Sequence, residues 1–202
     1  MIKNIIFDLG GVVVEYNPAL IISTFTGNPA LKKYVTDNGF FREPWTEFDR
    51  GTLTKQELAA EGARLSGCPA ADCEALIDHM KRCLVSIPET GELIAALARR
   101  GFRLYCLSNM SLDHYDYLKN RPVFAHFHGQ VISALEGLVK PERAFYELIL
   151  ERYRLLPDET LFIDDLQRNL LAAAELGIHT VHFAERESGL RAILEAVREA
   201  DR

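Results

Sequence analysis

The chain has 202 residues, 48% of them apolar, enough for one good-sized domain or a core domain carrying a smaller insertion. A formal net charge of -6 and the absence of clustered Lys and Arg exclude a nucleic-acid partner met through its phosphates. No basic leader with a long apolar stretch and a small-residue cleavage site precedes the first strand-like run, so the expectation is a cytoplasmic protein with no membrane partner.

The first apolar run, IIFDL at 5–9, suits a strand buried on both faces and ends on a carboxylate, Asp8. From about residue 16 to 88 no strand follows. This interval carries helical patterns, KQELAAEGARLSG and ADCEALIDHMKRCLV, around an aromatic and charged middle, FFREPWTEFDRGTLT. It reads as a helical insertion closing over a sheet, with Trp45 and Phe48 in the core of that small lid and Glu15, Tyr16 and Asn17 near its mouth. Cys68, Cys73, Cys83 and Cys106 are too few and too irregularly spaced for a disulfide framework, and CPAADC has no second pair for zinc, so all four read as structural thiols.

After the interval, helices and strands alternate. ETGELIAALARRG precedes FRLYCLS at 102–108; QVISA at 130–134 reads as the next strand, followed by the helix PERAFYELILERYR. TLFIDD at 160–165, the helix NLLAAAELG, HTVHF at 179–183 and a last stripe of Leu190, Ile193, Leu194 and Val197 complete the pattern, with Gly101 and Gly177 as helix stops. The fold class is therefore α/β, with a Rossmann-like parallel sheet wound through right-handed crossovers. The boundaries expected are a core of residues 1–15 and 89–202 and a helical cap of residues 16–88.

In such a sheet ligands bind beyond the carboxyl ends of the strands. Asp8 closes the first run, Ser108 and Asn109 the second, Lys140 follows the third in GLVKP, and Asp164 with Asp165 close the fourth. Each alone has a plain structural explanation as a turn, cap or surface residue. Together they would meet at one edge, and the chemistry they could share is phosphoryl transfer to a carboxylate nucleophile. The acidic residues offer hard oxygen ligands for Mg²⁺. Lys140 offers a point charge, and Ser108 and Asn109 can donate to phosphate oxygens. Gly10 and Gly11 let the backbone pass close to phosphate and metal. The histidines of HFH at 126–128 and HTVH at 179–182 lack a third ligand and read as hydrogen-bonded rather than metal-binding.

FDLGGVVV, LSN, KP and FIDDLQRN, in that order and spacing, resemble the four motifs of the haloacid dehalogenase-like (HAD) hydrolase superfamily over nearly the whole chain. The insertion is similar to its C1-type helical cap, and DLGG with LSN and DDxxxN is most similar to bacterial sugar-phosphate phosphatases of the α-D-glucose-1-phosphate phosphatase type. The resemblance implies that Asp8 is the nucleophile that becomes an aspartyl phosphate and that Lys140 assists it. It implies that the Gly10 carbonyl and Asp165 ligate Mg²⁺ directly, that Asp164 does so through water or as a supporting group, and that Asn169 orients the acidic loop. The substrate implied is a small phosphorylated molecule, a sugar phosphate above all.

One residue departs from the pattern. Gly10 stands where most phosphatases of the superfamily carry an Asp that protonates the leaving oxygen, help worth about 10²–10⁴-fold. A selective phosphatase remains the expectation, because the nucleophile is intact. The alternatives are a 2-haloacid dehalogenase, in which the acidic pair would have little to do, and a phospholigand-binding protein without turnover. A receiver-type signalling module is excluded by motif order, since its acidic pair ends the first strand.

Overall fold

The computed structural model describes residues 1–198. Strand β1 (Asn4–Phe7) is followed by helices α1 (Pro18–Thr24), α2 (Pro29–Asn38), α3 (Glu43–Arg50), α4 (Lys55–Ser66) and α5 (Ala70–Cys83) before the chain returns to the sheet. Then come α6 (Pro88–Arg99), β2 (Arg103–Ser108), α7 (Leu112–Leu118), β3 (Gly129–Ile132), α8 (Ser133–Glu136), α9 (Arg143–Tyr153), β4 (Thr160–Asp164), α10 (Gln167–Ala174), β5 (His179–His182) and α11 (Arg186–Arg198). The strands pair in parallel in the order β3-β2-β1-β4-β5. No helix among the described residues is long and apolar enough to cross a membrane.

The strand sequences explain the layers. Alternate residues point to opposite faces, so Ile5, Phe7, Leu104, Cys106, Leu161 and Ile163 join Leu93, Ile94 and Leu97 of α6 and Ile193 and Val197 of α11. On the other face Ile6, Tyr105, Leu107 and Phe162 meet Phe145, Tyr146 and Ile149 of α9 and Leu170 of α10. Burial on both faces is why these runs are continuously apolar. β1 lies between β2 and β4, where the winding reverses, so the carboxyl ends of these three strands open onto one crevice.

The insertion builds its own apolar cluster from Phe25, Leu31, Val35, Phe41, Phe48, Leu58, Cys73, Leu76 and Ile77. A capping box at Thr54 and Glu57 starts α4. The two passes into and out of the insertion run side by side, with the Glu15 N–H on the Val85 carbonyl (2.7 Å) and the Ile87 N–H on the Val13 carbonyl (2.9 Å). Two expected strands end two residues early. β1 stops at Phe7 because the Leu9 N–H turns onto the Asp8 carboxylate (2.7 Å). The QVISA run stops at Ile132 because the Ser133 hydroxyl accepts from the Met110 N–H (2.7 Å) and donates to the Asp49 carbonyl, turning the chain into α8.

Candidate active site

Asp8 sits just beyond β1 and is 7% exposed. Its Oδ1 accepts from the Leu9 N–H (2.7 Å), the Ser108 hydroxyl at the end of β2 (2.8 Å) and the Lys140 ammonium (2.9 Å). Those donors fix the rotation of the carboxylate and leave Oδ2 with no hydrogen-bond donor among the described residues. Lys140 also donates to Asp164 Oδ2 (2.6 Å), so it bridges the ends of β1 and β4. Its backbone is clamped by Asn109, whose Nδ2 donates to the Lys140 carbonyl (2.9 Å) and whose Oδ1 accepts from the Lys140 N–H (2.7 Å). Hence Ser108 and Asn109, expected to face phosphate, bond the nucleophile candidate and the lysine loop.

Both oxygens of Asp164 are taken. Oδ2 holds Lys140, while Oδ1 accepts from the Leu166 N–H (2.8 Å) and the Asn169 amide (2.9 Å). Asp165 faces the cavity instead, its carboxylate packed so tightly on Gly11 that a Cβ there would lie 2.8 Å from Oδ2. Gly11, at φ +74°, gives its N–H to the Val14 carbonyl (2.8 Å) and is not part of the cavity wall. Carboxylate oxygens of Asp8, Asp164 and Asp165 lie within 4.8 Å of one another.

One ammonium among so many carboxylates leaves surplus negative charge. Burial, with Asp164 and Asp165 adding repulsion against the attraction of Lys140, pushes the Asp8 carboxyl up to about 7. Burial and Asp164 raise Asp165 to about 6. Although burial opposes it, the charges of Asp8 and Asp164 hold the Lys140 ammonium above its ordinary value, and it stays protonated.

A cavity of about 680 Å³ opens over these groups, lined by Asp8, Gly10, Asn109, Lys140, Asp165 and Asn169 from the core and by Tyr16, Trp45, Asp49, Arg50, Met80 and Leu84 from the insertion side. Trp45 packs on Phe48 and His114 (ring centroids 5.7 and 5.9 Å) but also reaches the cavity, so it is more than lid core. Asp49 and His114 are the residues sequence reasoning passed over. Burial pushes the Asp49 carboxyl up to about 7 even though the Ser111 N–H and the Trp45 indole donate to it. Burial lowers His114 to about 4. The only sequence signal for Asp49 was the mixed aromatic and charged character of its segment. The His182 ring bonds the Asp165 carbonyl (2.9 Å) and the His128 ring accepts from the Leu104 N–H (3.2 Å), as hydrogen-bonded histidines do.

The sequence model of the family described as haloacid dehalogenase-like hydrolase matches residues 2–177. The chain belongs to the haloacid dehalogenase-like hydrolases. This hydrolase is 28% identical over 184 residues to the sesquiterpene phosphatase astK of Aspergillus oryzae, covering 91% of its own length and 90% of the relative. It is 25% identical over 198 residues to the D-ribitol-5-phosphate phosphatase of Bacteroides thetaiotaomicron, covering 89% and 91%. A HAD family enzyme from Bacteroides thetaiotaomicron, solved as its magnesium complex, superposes on the hydrolase with a TM-score of 0.74 at 27% identity, over 90% of this chain and 92% of that one.

Proposed function

We propose that the protein is a Mg²⁺-dependent phosphatase that hydrolyses a small phosphomonoester through an aspartyl phosphate on Asp8. The observation that carries this reading is the anchoring of Asp8: one oxygen is held by Leu9, Ser108 and Lys140 and the other has no donor among the described residues, at the floor of a cavity large enough for a small phosphorylated molecule. The attacking oxygen forms a bond to phosphorus as the bond to the leaving alcohol breaks. Lys140, held between Asp8 and Asp164, offsets the repulsion between the carboxylate and the anionic substrate. Asn109 keeps that lysine in place through both of its backbone hydrogen bonds.

The residues fit a divalent cation. Three clustered carboxylates share one ammonium, and two of them are pushed well above their usual range, a surplus that hard oxygen-seeking Mg²⁺ relieves. Asp8, Asp165 and the Gly10 carbonyl would hold it directly, since both oxygens of Asp164 are already bonded and suit a supporting position behind Asn169. When bound, Mg²⁺ supplies charge neutralisation at the phosphate. In this reading residues 16–88 form a cap over the core of 1–15 and 89–202, and the cap side chains select the substrate.

A sugar phosphate is the substrate class favoured here, supported by the D-ribitol-5-phosphate phosphatase among the relatives. The apolar wall of Trp45, Met80, Leu84, Met110 and Val139, with a sesquiterpene phosphatase also among the relatives, favours a second reading in which the alcohol is a hydrophobic chain. A phosphate-release screen across sugar phosphates, nucleotides and prenyl phosphates, with Mg²⁺ and with EDTA, decides between them. Asp8→Asn should release no phosphate while its circular dichroism is unchanged. Full activity in EDTA with chloride release from 2-chloropropionate would instead mark a dehalogenase, and no turnover on any ester a binding protein.

A further inference from the structure

We propose that Asp49, carried by the insertion, is the acid and base that the chain lacks at position 10; this rests on the phosphatase reading above. Asp49, Gly10 and Asp8 line one cavity. Core contacts on both sides of Asp49 hold it there. Its carbonyl accepts from Ser133, the neighbouring Arg50 forks onto Glu142 (2.8 and 3.1 Å) and reaches the Gly137 carbonyl (3.1 Å), and Gly51, at φ +85°, packs against the Ala134 backbone. The carboxylate itself is oriented by the Ser111 N–H and the Trp45 indole.

The groups around it are Asp8, Lys140, Tyr16, Arg50, His114 and Asp165. None of the others serves as well: Asp165 is the cation ligand of the reading above, and Arg50 is bonded to Glu142 and the Gly137 carbonyl. Lys140 is engaged between Asp8 and Asp164. His114 is kept neutral by burial, which leaves an N–H far too weakly acidic to donate, and burial pushes Tyr16 up to about 12, also too weak an acid. Asp49, raised to about 7, holds a proton in a large share of molecules at neutrality and gives it up readily.

In the first step an Asp8 oxygen bonds to phosphorus, the bond from phosphorus to the alcohol oxygen breaks, and that oxygen takes its electron pair and the proton of the Asp49 carboxyl. In the second, water attacks phosphorus while the Asp49 carboxylate takes its proton, and the bond to Asp8 breaks, returning Asp8 as carboxylate and Asp49 as acid.

The test is kcat/KM, with Mg²⁺, on p-nitrophenyl phosphate and on an alkyl phosphate, for the wild type, Asp8→Asn, Asp49→Asn and the double variant Asp49→Asn with Gly10→Asp, all checked for folding by circular dichroism. Position 10 accepts a side chain: it is outside the left-handed region, and a Cβ would meet only Tyr16, at 3.7 Å. Asp49→Asn should lose about 10²–10³-fold on the alkyl ester, whose oxygen cannot leave unprotonated, and less than about tenfold on the aryl ester. Adding Gly10→Asp should recover at least about tenfold on the alkyl ester. An equal loss on both esters without recovery, or no loss on the alkyl ester, would overturn the role of Asp49. A steep dependence of wild-type kcat/KM on leaving-group acidity across substituted phenyl phosphates would overturn it independently of any variant. Absence of phosphate release by the wild type, or retained release by Asp8→Asn, would overturn the phosphatase reading itself and the proposal with it.

Discussion

Raising the pH of the metal-free protein from 6.5 to 8.0 should destabilise it, chiefly through Asp8. Its carboxyl is pushed from an ordinary 3.8 up to about 7 in the folded chain. A folded-state value above the unfolded one means that the native state binds more protons between these limits, so stability falls as pH rises through about 7. Integrated over pH 6.5–8.0, one carboxyl at about 7 loses about 0.8 kcal/mol, and Asp49, also at about 7 but half-buried, adds a smaller share. His114 acts in the opposite sense. Lowered from 6.5 to about 4, it adds stability as pH rises through those values, and about 0.4 kcal/mol of that gain still falls between pH 6.5 and 8.0, offsetting part of the loss from the carboxylates. Urea unfolding followed by circular dichroism in EDTA should therefore show a loss of about 1 kcal/mol from pH 6.5 to 8.0. Asp8→Asn should remove most of it, and so should saturating Mg²⁺, which favours the ionised carboxylate. Stability that is flat or rising across this window in EDTA, or a loss that Asp8→Asn leaves whole, would refute the charge-surplus argument.

Phosphate release should depend on Mg²⁺, vanish in EDTA and return when Mg²⁺ is added in excess, measured by a colorimetric phosphate assay. Asn109→Ala removes both backbone clamps on Lys140; it should cost about 1–3 kcal/mol in urea unfolding and lower kcat more than it raises KM, because the lysine acts on the attack. Gly51→Ala introduces a Cβ 2.5 Å from the Ala134 carbonyl oxygen at φ +85°, and should lower stability by about 2 kcal/mol while weakening turnover of alkyl phosphates by displacing Asp49, as read from unfolding midpoints and kcat on the two ester types.

Much of the site was legible along the chain because it is made at strand ends. Strands buried on both faces demand continuous apolar runs, so a polar residue closing such a run stands out, and Asp8, Ser108, Lys140, Asp164 and Asp165 are all near such points. The order of runs and helices likewise specifies a parallel α/β sheet, since crossover handedness leaves few topologies. Sequence by itself could not show where QVISA would bend, because the turn at Ser133 is made by bonds to Met110 and Asp49, both distant in the chain. Nor could it show that Ser108 would bond Asp8 rather than face the cavity. Asp49 was hidden for the same reason. A short acidic side chain on a helix has no periodic signature of function; its raised pKa comes from burial and from the charge of Asp8, and its position from the docking of α3 against α8. Local apolar pattern determined the scaffold and the line of polar strand ends, while the dielectric and the hydrogen-bond partners that set each group's chemistry exist only once segments far apart in the chain are packed together.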